Sequence, residues 1–224
     1  MDMSDSRVPL VLAHAKACQE FRQQVRFGPE PRLPEDLVYL SGIDLSGANL
    51  SQVFFSSNNY SADLRKANLT GANLSGAILN DADLTGANLS GATLNDADLT
   101  DANLSDANLA NAHLYRADLT EANLTDADLK DANLLHADLT KANLTRTDFS
   151  RSNFTDADLQ GANLEDADLT DANLTGAVLT RTNLKGANLV LMTNATNDNE
   201  PRPHVLLQKE KDGNLRIKIT SLIY

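Results

Sequence analysis

The amino-acid sequence predicts an all-β solenoid, on three observations. From Ala62 to Leu191 the pattern Ala-Asp/Asn-Leu-x-x recurs without a slip in 26 consecutive five-residue units. The central residue is Leu in 24 of them, with Phe149 and Phe154 in the other two, and the position two before it is Ala except at Thr147, Ser152 and Thr182. The two positions after the centre are crowded with Gly, Asp, Asn and Ser.

Each observation has a physical reading. A separation of two puts Ala and Leu on one face of an extended segment. A helix of about 3.6 residues per turn would scatter a five-residue repeat around its axis. Each unit is therefore a short extended side, and the two residues after it turn the chain so that the next Ala points inward again.

Units such as Ala72-Asn73-Leu74-Ser75-Gly76 and Ala127-Asp128-Leu129-Lys130-Asp131 resemble those of the pentapeptide-repeat proteins, a family abundant in cyanobacteria. The resemblance implies a right-handed quadrilateral β-helix with four units per coil and a 20-residue period. At that period the 130 strict residues make 6.5 coils. Stacked at the inter-strand spacing they form a rod roughly 31 Å long. The interior is then a column of Leu side chains in which each centre meets its counterpart one period on, as in Leu64, Leu84, Leu104, Leu124, Leu144, Leu164 and Leu184.

The flanks predict the remaining elements. Residues 1–37 read as an N-terminal helix and connector. Over residues 7–27, Val8, Leu12, Ala15, Cys18, Phe21 or Arg22, and Val25 follow helical spacing, with Ser6 as N-cap, Pro9 in the first turn and Gly28-Pro29 as the stop. Residues 38–191 form the solenoid. Leu40, Leu45, Leu50, Phe55 and Tyr60 carry the five-residue spacing upstream, and the interval from Tyr60 to Leu64 marks a register slip near 56–64. Residues 192–203 are a polar linker, and 204–224 predict a β-hairpin around Asp212-Gly213 with Leu215, Ile217 and Ile219 alternating. A stack of strands has two open ends, so the helix is expected to cap one, and the hairpin to cap the other or pair with a second subunit as a homodimer.

Composition narrows the function. The net charge of −12 argues against direct nucleic-acid binding, since a phosphate backbone would be repelled. A single cysteine, Cys18, excludes an intrachain disulfide and suits a reducing, cytoplasmic compartment. The apolar stretch Val8 to Ala17 lacks a basic start and is interrupted by Pro9 and His14, against a signal peptide. No run reaches the 18 to 20 or so apolar residues of a membrane span, so no membrane partner is expected.

Catalysis finds no support in the residues. His14, His113, His136 and His204 are dispersed, and read as surface substitutions. Cys18 reads as a small buried hydrophobe on the helix. No nucleophile-base pair, phosphate loop or metal-ligand spacing emerges, and a filled Leu core leaves no cavity, so neither an enzyme, a cofactor nor a metal is expected.

The exterior carries the information. The strict array holds 20 acidic and 9 basic residues. Sorted by the 20-residue period, one side stacks Asp98, Asp118, Asp138 and Asp158, and the adjoining corner carries Asp81, Asp101 and Glu121, then Lys141 and Arg181. Asp128, Asp148 and Asp168 stack on the opposite side, while neighbouring sides carry Asn103, Asn123, Asn143 and Asn163. Stacked carboxylates repel by about 1 kcal/mol in water, which an Asn column avoids. Such acidity either keeps a repetitive rod soluble or recognises a basic protein partner. The expected function is a non-enzymatic interaction scaffold that docks a basic protein surface on Asp81, Asp98, Asp101, Asp118, Glu121, Asp138 and Asp158. The resemblance supplies a second possibility, mimicry of DNA toward a type II topoisomerase, although this chain is Leu-centred where those relatives favour Phe and predicts a hairpin where they carry a dimerising helix. A third, ice or mineral binding, rests on the column Thr100, Thr120 and Thr140, which is interrupted at Gln160.

Overall fold

The computed structural model of the chain describes residues 4–24, 38–57, 60–189, 204–209 and 215–220. Its organising feature is a parallel backbone ladder. Each unit's outward residue bridges its counterpart one coil on, as in Asp83↔Asn103, Asn88↔Asn108, Thr93↔His113 and Asp98↔Asp118, and this continues in the same 20-residue register to Asp168↔Asn188. Four units therefore make one coil, and the coil has four sides.

The hydrogen bonds explain why five residues suffice for one side. Leu84 N donates to Asn103 O at 2.7 Å, Asn103 N donates back to Ala82 O at 2.9 Å, and Gly86 N reaches Ser105 O at 2.9 Å. Ala87 N then donates to Leu84 O at 2.9 Å and closes the corner. Repeated along the rod, this set satisfies the chain polar groups that burial would otherwise leave unpaired. The corner has its own requirement. Every fifth residue from Lys66 to Gly186 lies at a φ between 54° and 73°, the left-handed region.

The core is the predicted stack. Leu64 through Leu144 in the central position, and Ala62 through Ala142 two residues before it, are essentially inaccessible. Phe149 and Phe154 fill adjacent sides of one coil, edge to face with ring centroids 4.9 Å apart. The three inward hydroxyls are bonded to backbone: Thr147 Oγ1 to Leu124 O at 2.8 Å, Ser152 Oγ to Phe149 O at 2.7 Å and Thr182 Oγ1 to Leu159 O at 2.8 Å.

The first coil departs from the period. Its bridges run Tyr39↔Asp63, Asp44↔Asn68, Asn49↔Asn73 and Phe54↔Ile78, a 24-residue spacing. The extra residues leave the coil at its fourth corner, where β1 (Ser56–Ser57) pairs antiparallel with β2 (Tyr60–Ser61). The corner bond that elsewhere spans three residues here runs from Ala62 N to Phe55 O at 2.9 Å. Tyr60 is thus not a fifth centre, as its spacing suggested; it pairs with Ser57 in the insertion, and Leu64 stacks on Leu40.

Helix α1 (Arg7–Gln24) lies against this first coil. Val8, Val11, Ala15 and Cys18 are buried in the same apolar cluster as Leu40, Leu45, Leu50 and Phe55. Asp5, not Ser6, serves as the N-cap: its Oδ1 accepts from Arg7 N at 2.9 Å and its carbonyl from Val8 N at 3.0 Å. His14, expected on the surface, is buried, and its Nε2 bonds Phe54 O at 2.9 Å. Arg7 Nη1 donates to Tyr39 O at 3.0 Å and Gln19 Nε2 to Ser51 O at 3.1 Å. In later coils the equivalent carbonyls accept from the coil before, as Asn103 O and Ser105 O do. On three sides of the first coil, side chains of α1 make that contact instead. The predicted extension of the helix to residue 27 and the Gly28-Pro29 stop lie outside the described residues.

At the other end of the chain, β3 (His204–Lys209) pairs antiparallel with β4 (Leu215–Thr220), and the register sets Val205 opposite Ile219 and Leu207 opposite Ile217. The Asp212-Gly213 turn lies outside the described residues. Among the described residues no helix is long and apolar enough to cross a membrane.

Two measurements test these packing statements. Leu124→Ala should lower stability by about 2 to 5 kcal/mol in thermal or denaturant melts, because its neighbours above and below hold the cavity open. Thr147→Ala should stay within about 1 kcal/mol, since Leu124 O keeps its bond from Ala127 N. Equal losses would contradict the stacked-column core. The Asp5 carboxyl, held down by the Arg7 guanidinium, should titrate at about 2 by NMR. Because its folded value is depressed, the stabilisation of α1 is present above the unfolded carboxylate value near 3.9 and is lost as pH falls toward the folded one. An Asp5 midpoint near 3.9 would remove the cap.

Candidate partner-binding surface

Outward side chains are sorted by side, and each side repeats one solution to the same local problem. The residue before each centre is placed so that its Oδ1 accepts the N–H two residues on. Asp98, Asp118, Asp138 and Asp158 bond in this way to the backbone of Thr100, Thr120, Thr140 and Gln160 at 2.9 to 3.0 Å. Asn satisfies the same bond, as at Asn123 with Thr125 N at 3.2 Å.

What separates the two residue types is the contact between coils. Asn123 Nδ2 donates to Asn103 Oδ1 at 3.1 Å, Asn143 Nδ2 to Asn123 Oδ1 at 3.2 Å and Asn183 Nδ2 to Asn163 Oδ1 at 2.7 Å, an amide ladder up that side interrupted at Asn163, whose Nδ2 donates to Thr145 Oγ1 at 2.9 Å instead. Asn133, Asn153 and Asn173 make a second on the opposite side. A carboxylate has no donor to offer its neighbour. The Asp98, Asp118, Asp138 and Asp158 column therefore stacks like charges in successive coils without ladder bonds, and no ion pair reaches it among the described residues.

The remaining predicted site residues lie in the corner that follows this side. Asp81, Asp101 and Glu121 occupy its left-handed position, with φ of 58°, 57° and 59°. Asp81 Oδ2 accepts from Asn80 Nδ2 at 3.0 Å. Glu121 differs from the other two: Lys141 Nζ sits 2.6 Å from its Oε1, and the carboxylate raises the pKa of that ammonium. The structure thus places Asp81, Asp101 and Glu121 along the corner beside the column, with Lys141 at the next position of that corner, while Asp138 and Asp158 carry the column on past it.

The other corners are balanced by the same device. Arg146 grips Asp126 with two bonds of 2.7 and 2.6 Å, Arg151 grips Asp131, and Lys185 pairs with Glu165 at 2.5 Å. Hydrogen bonding to the cation lowers the pKa of Asp126, Asp131 and Glu165. Each cation reaches the anion of the preceding coil, so Arg146, which stands between Asp126 and Asp166, and Arg151, between Asp131 and Asp171, each pair with one of the two. Exposed pairs of this kind contribute little to stability.

Chemistry of the reactive residues is quiet. No group of three His, Cys, Asp or Glu among the described residues is arranged to hold a metal ion. His113 and His136 are exposed on the rod, and Cys18 is buried with Sγ 3.5 Å from His14 Nε2. Sequence reading passed over Tyr115 and Leu135, which stand one coil apart at the corner leading into the acidic side. Their signal was present: Tyr115 and Leu135 are the only large apolar residues at the first turn position between Arg65 and Lys185.

Comparison with known proteins places the fold in a family. Pentapeptide repeats match the chain in eight copies, over residues 60–101, 97–134, 132–171 and 157–190. The pentapeptide repeat protein Rfr23 from the cyanobacterium Cyanothece 51142 is 46% identical over 41% of this chain and 58% of its own, with a TM-score of 0.34. This chain therefore spans less than two thirds of that relative's length. HetL, a pentapeptide repeat protein involved in heterocyst differentiation regulation from the cyanobacterium Nostoc sp. strain PCC 7120, is 32% identical over 68% of this chain and 85% of its own, with a TM-score of 0.30. Full-length QnrB1, a plasmid-mediated fluoroquinolone resistance protein, is 20% identical over 67% of this chain and 80% of its own, with a TM-score of 0.36. No curated protein matches the chain. Coils of four sides, a Leu-centred five-residue unit and a family match over more than half its length make this chain a member of the pentapeptide-repeat family.

Proposed function

We propose that the protein is a non-enzymatic scaffold whose acidic side docks a basic surface of a protein partner. The observation that carries this reading is the column Asp98, Asp118, Asp138 and Asp158, held in register by bridges between successive coils and met by no ion pair among the described residues. Asn would make the same turn bond and add a ladder bond, so local structure alone favours the amide. Three coil spacings put Asp98 and Asp158 roughly 14 Å apart, the length of about five residues of extended chain. The family is one of repeat scaffolds, and nothing about it indicates catalysis.

The same reading gives the ends a role. Residues 1–37 cover the N-terminal end through α1, residues 38–191 are the scaffold, 192–203 link, and the hairpin of 204–224 covers the C-terminal end. Removing residues 204–224 should then yield dimers or longer end-to-end species by sedimentation while the β spectrum persists. A truncated protein that stays monomeric would detach the hairpin from this role, and an intact dimer that becomes a monomer would make it the subunit contact.

Replacing Asp98, Asp118, Asp138 and Asp158 together by Asn should leave the melting temperature unchanged or raise it, and abolish capture of basic proteins from an extract of the native cell. An identical set of captured proteins would overturn the reading. The topoisomerase alternative rests on the family resemblance and the rod's acidity, and a gyrase supercoiling assay separates it: inhibition by the parent and not by the Asn variant would replace the proposed partner class.

A further inference from the structure

The corner leading into the acidic side interrupts the rod's chemistry. Its first turn position reads Ser75, Asn95, Tyr115, Leu135, Thr155 and Thr175 from coil to coil. Four of these are small and polar, as turns prefer. Tyr115 and Leu135 are neither, and they are neighbours, one coil spacing of roughly 4.8 Å apart. Both are partly exposed.

Backbone hydrogen bonding gives no reason for them. At Tyr115 the usual turn bond is even lost, because His113 stands where an Asn or Asp would accept it; Asn95 Oδ1 of the preceding coil takes Tyr115 N instead, at 3.0 Å. Leu135 N keeps its ordinary partner, Asn133 Oδ1, at 3.2 Å. The backbone is thus satisfied whatever the two side chains are, and Asn or Thr serves at the same corner one coil away.

The surroundings hold the patch in place. The His136 ring meets Tyr115 edge-on at 5.9 Å, and the Arg116 guanidinium carbon lies 5.9 Å from the Tyr115 centroid. Arg116 is itself tied to Asp96 at 3.4 Å, and His136 Nδ1 lies 4.0 Å from Asp156 Oδ2. Three residues on from Tyr115 and Leu135 come Asp118 and Asp138, the middle of the acidic column. An aromatic ring beside an aliphatic side chain, bordered by carboxylates, is the composition of an interface centre with a charged rim.

We infer that Tyr115 and Leu135 are the anchor of the docking face, and that the segment it takes is basic and carries an apolar side chain beside its Arg or Lys residues. This rests on the scaffold reading, since the carboxylates supply the complementarity that selects a basic occupant. The apolar side chain packs on Tyr115 and Leu135 while the flanking cations reach Asp118 and Asp138. Charge alone would give fast, salt-sensitive and poorly selective association; the apolar step adds the contact that discriminates among cationic partners.

Two synthetic eight-residue peptides of equal charge test this, one alternating Arg with Leu and the other Arg with Ser, by fluorescence anisotropy on the full chain. The Arg/Leu peptide should bind at least about ten-fold tighter, a difference near 1.4 kcal/mol. The double variant Tyr115→Ser, Leu135→Thr, which copies residues found at the same corner, should bring Arg/Leu binding down to the Arg/Ser value and leave the latter unchanged. Replacing Asp98, Asp118, Asp138 and Asp158 by Asn should weaken both peptides. Equal binding of the two peptides to the parent, or Arg/Leu binding that survives the double variant, overturns the anchor. If the Asn variant still loses binding in that case, the acidic face stands without it; if that variant binds as the parent does, the acidic face falls as well.

Discussion

One residue in five must turn a corner with positive φ, and the rest of the rod follows from that. The left-handed residue redirects the chain so that the following Ala faces inward, and the centre two positions later can stack on its counterpart in the next coil. Glycine meets the requirement most easily, yet from Lys66 to Gly186 most of these corners are held by Asp, Arg, Lys, His, Glu or Asn. Left-handed backbone disfavours most side chains and is most tolerant of Asn and Asp among non-glycine residues. Part of the chain's acidity is therefore a consequence of its corners. The ladder offsets the strain: from Lys66 to Asp166 each corner N–H is fixed to the next coil's carbonyl, as Asp101 N is to Thr120 O at 3.0 Å.

This separates two kinds of acid. Asp101 and Asp106 have the geometry of the corner as sufficient cause, and Arg146 and Arg151 reduce the charge where it accumulates. Asp98, Asp118, Asp138 and Asp158 sit on an extended side, where the turn bond they make is equally open to Asn. There the choice between carboxylate and amide is free of backbone demands and shows in the coil-to-coil contact alone. The amide sides knit the coils together, and the acid side leaves them held by backbone and core.

The solenoid was legible because its rules are local and repeated. A separation of two between Ala and Leu and a turn after each pair were enough to place Leu64 through Leu144 inside and Asp98 outside, and a family resemblance supplied the number of sides. What could not be read required knowing which residues meet across coils. The short interval from Tyr60 to Leu64 marked a slip near 56–64, but Tyr60 kept the five-residue count and read as a fifth centre; the bridge from Phe54 to Ile78 and the pairing of Tyr60 with Ser57 show that the chain has already stepped out there. Arg7, His14 and Gln19 looked like ordinary polar positions on a helix, because their partners are carbonyls of Tyr39, Phe54 and Ser51, some 32 to 40 residues away in sequence. Tyr115 and Leu135 were visible as exceptions, but their adjacency depends on the length of the coil.

The count of four units per coil gives this architecture a modulus. An insertion or deletion of four whole units adds or removes one storey and leaves every column of surface chemistry aligned. A change of a single unit obeys all the backbone rules equally well, yet it rotates everything downstream by a quarter turn, carrying the acid column onto an amide side. The excursion at 56–61 instead lengthens the first coil without entering the count, because β1 and β2 return the chain to the corner it left. Descendants of such a gene could change length in fives and keep the fold while scrambling the face, so lineages that retain the face should differ in length by whole coils or by closed loops.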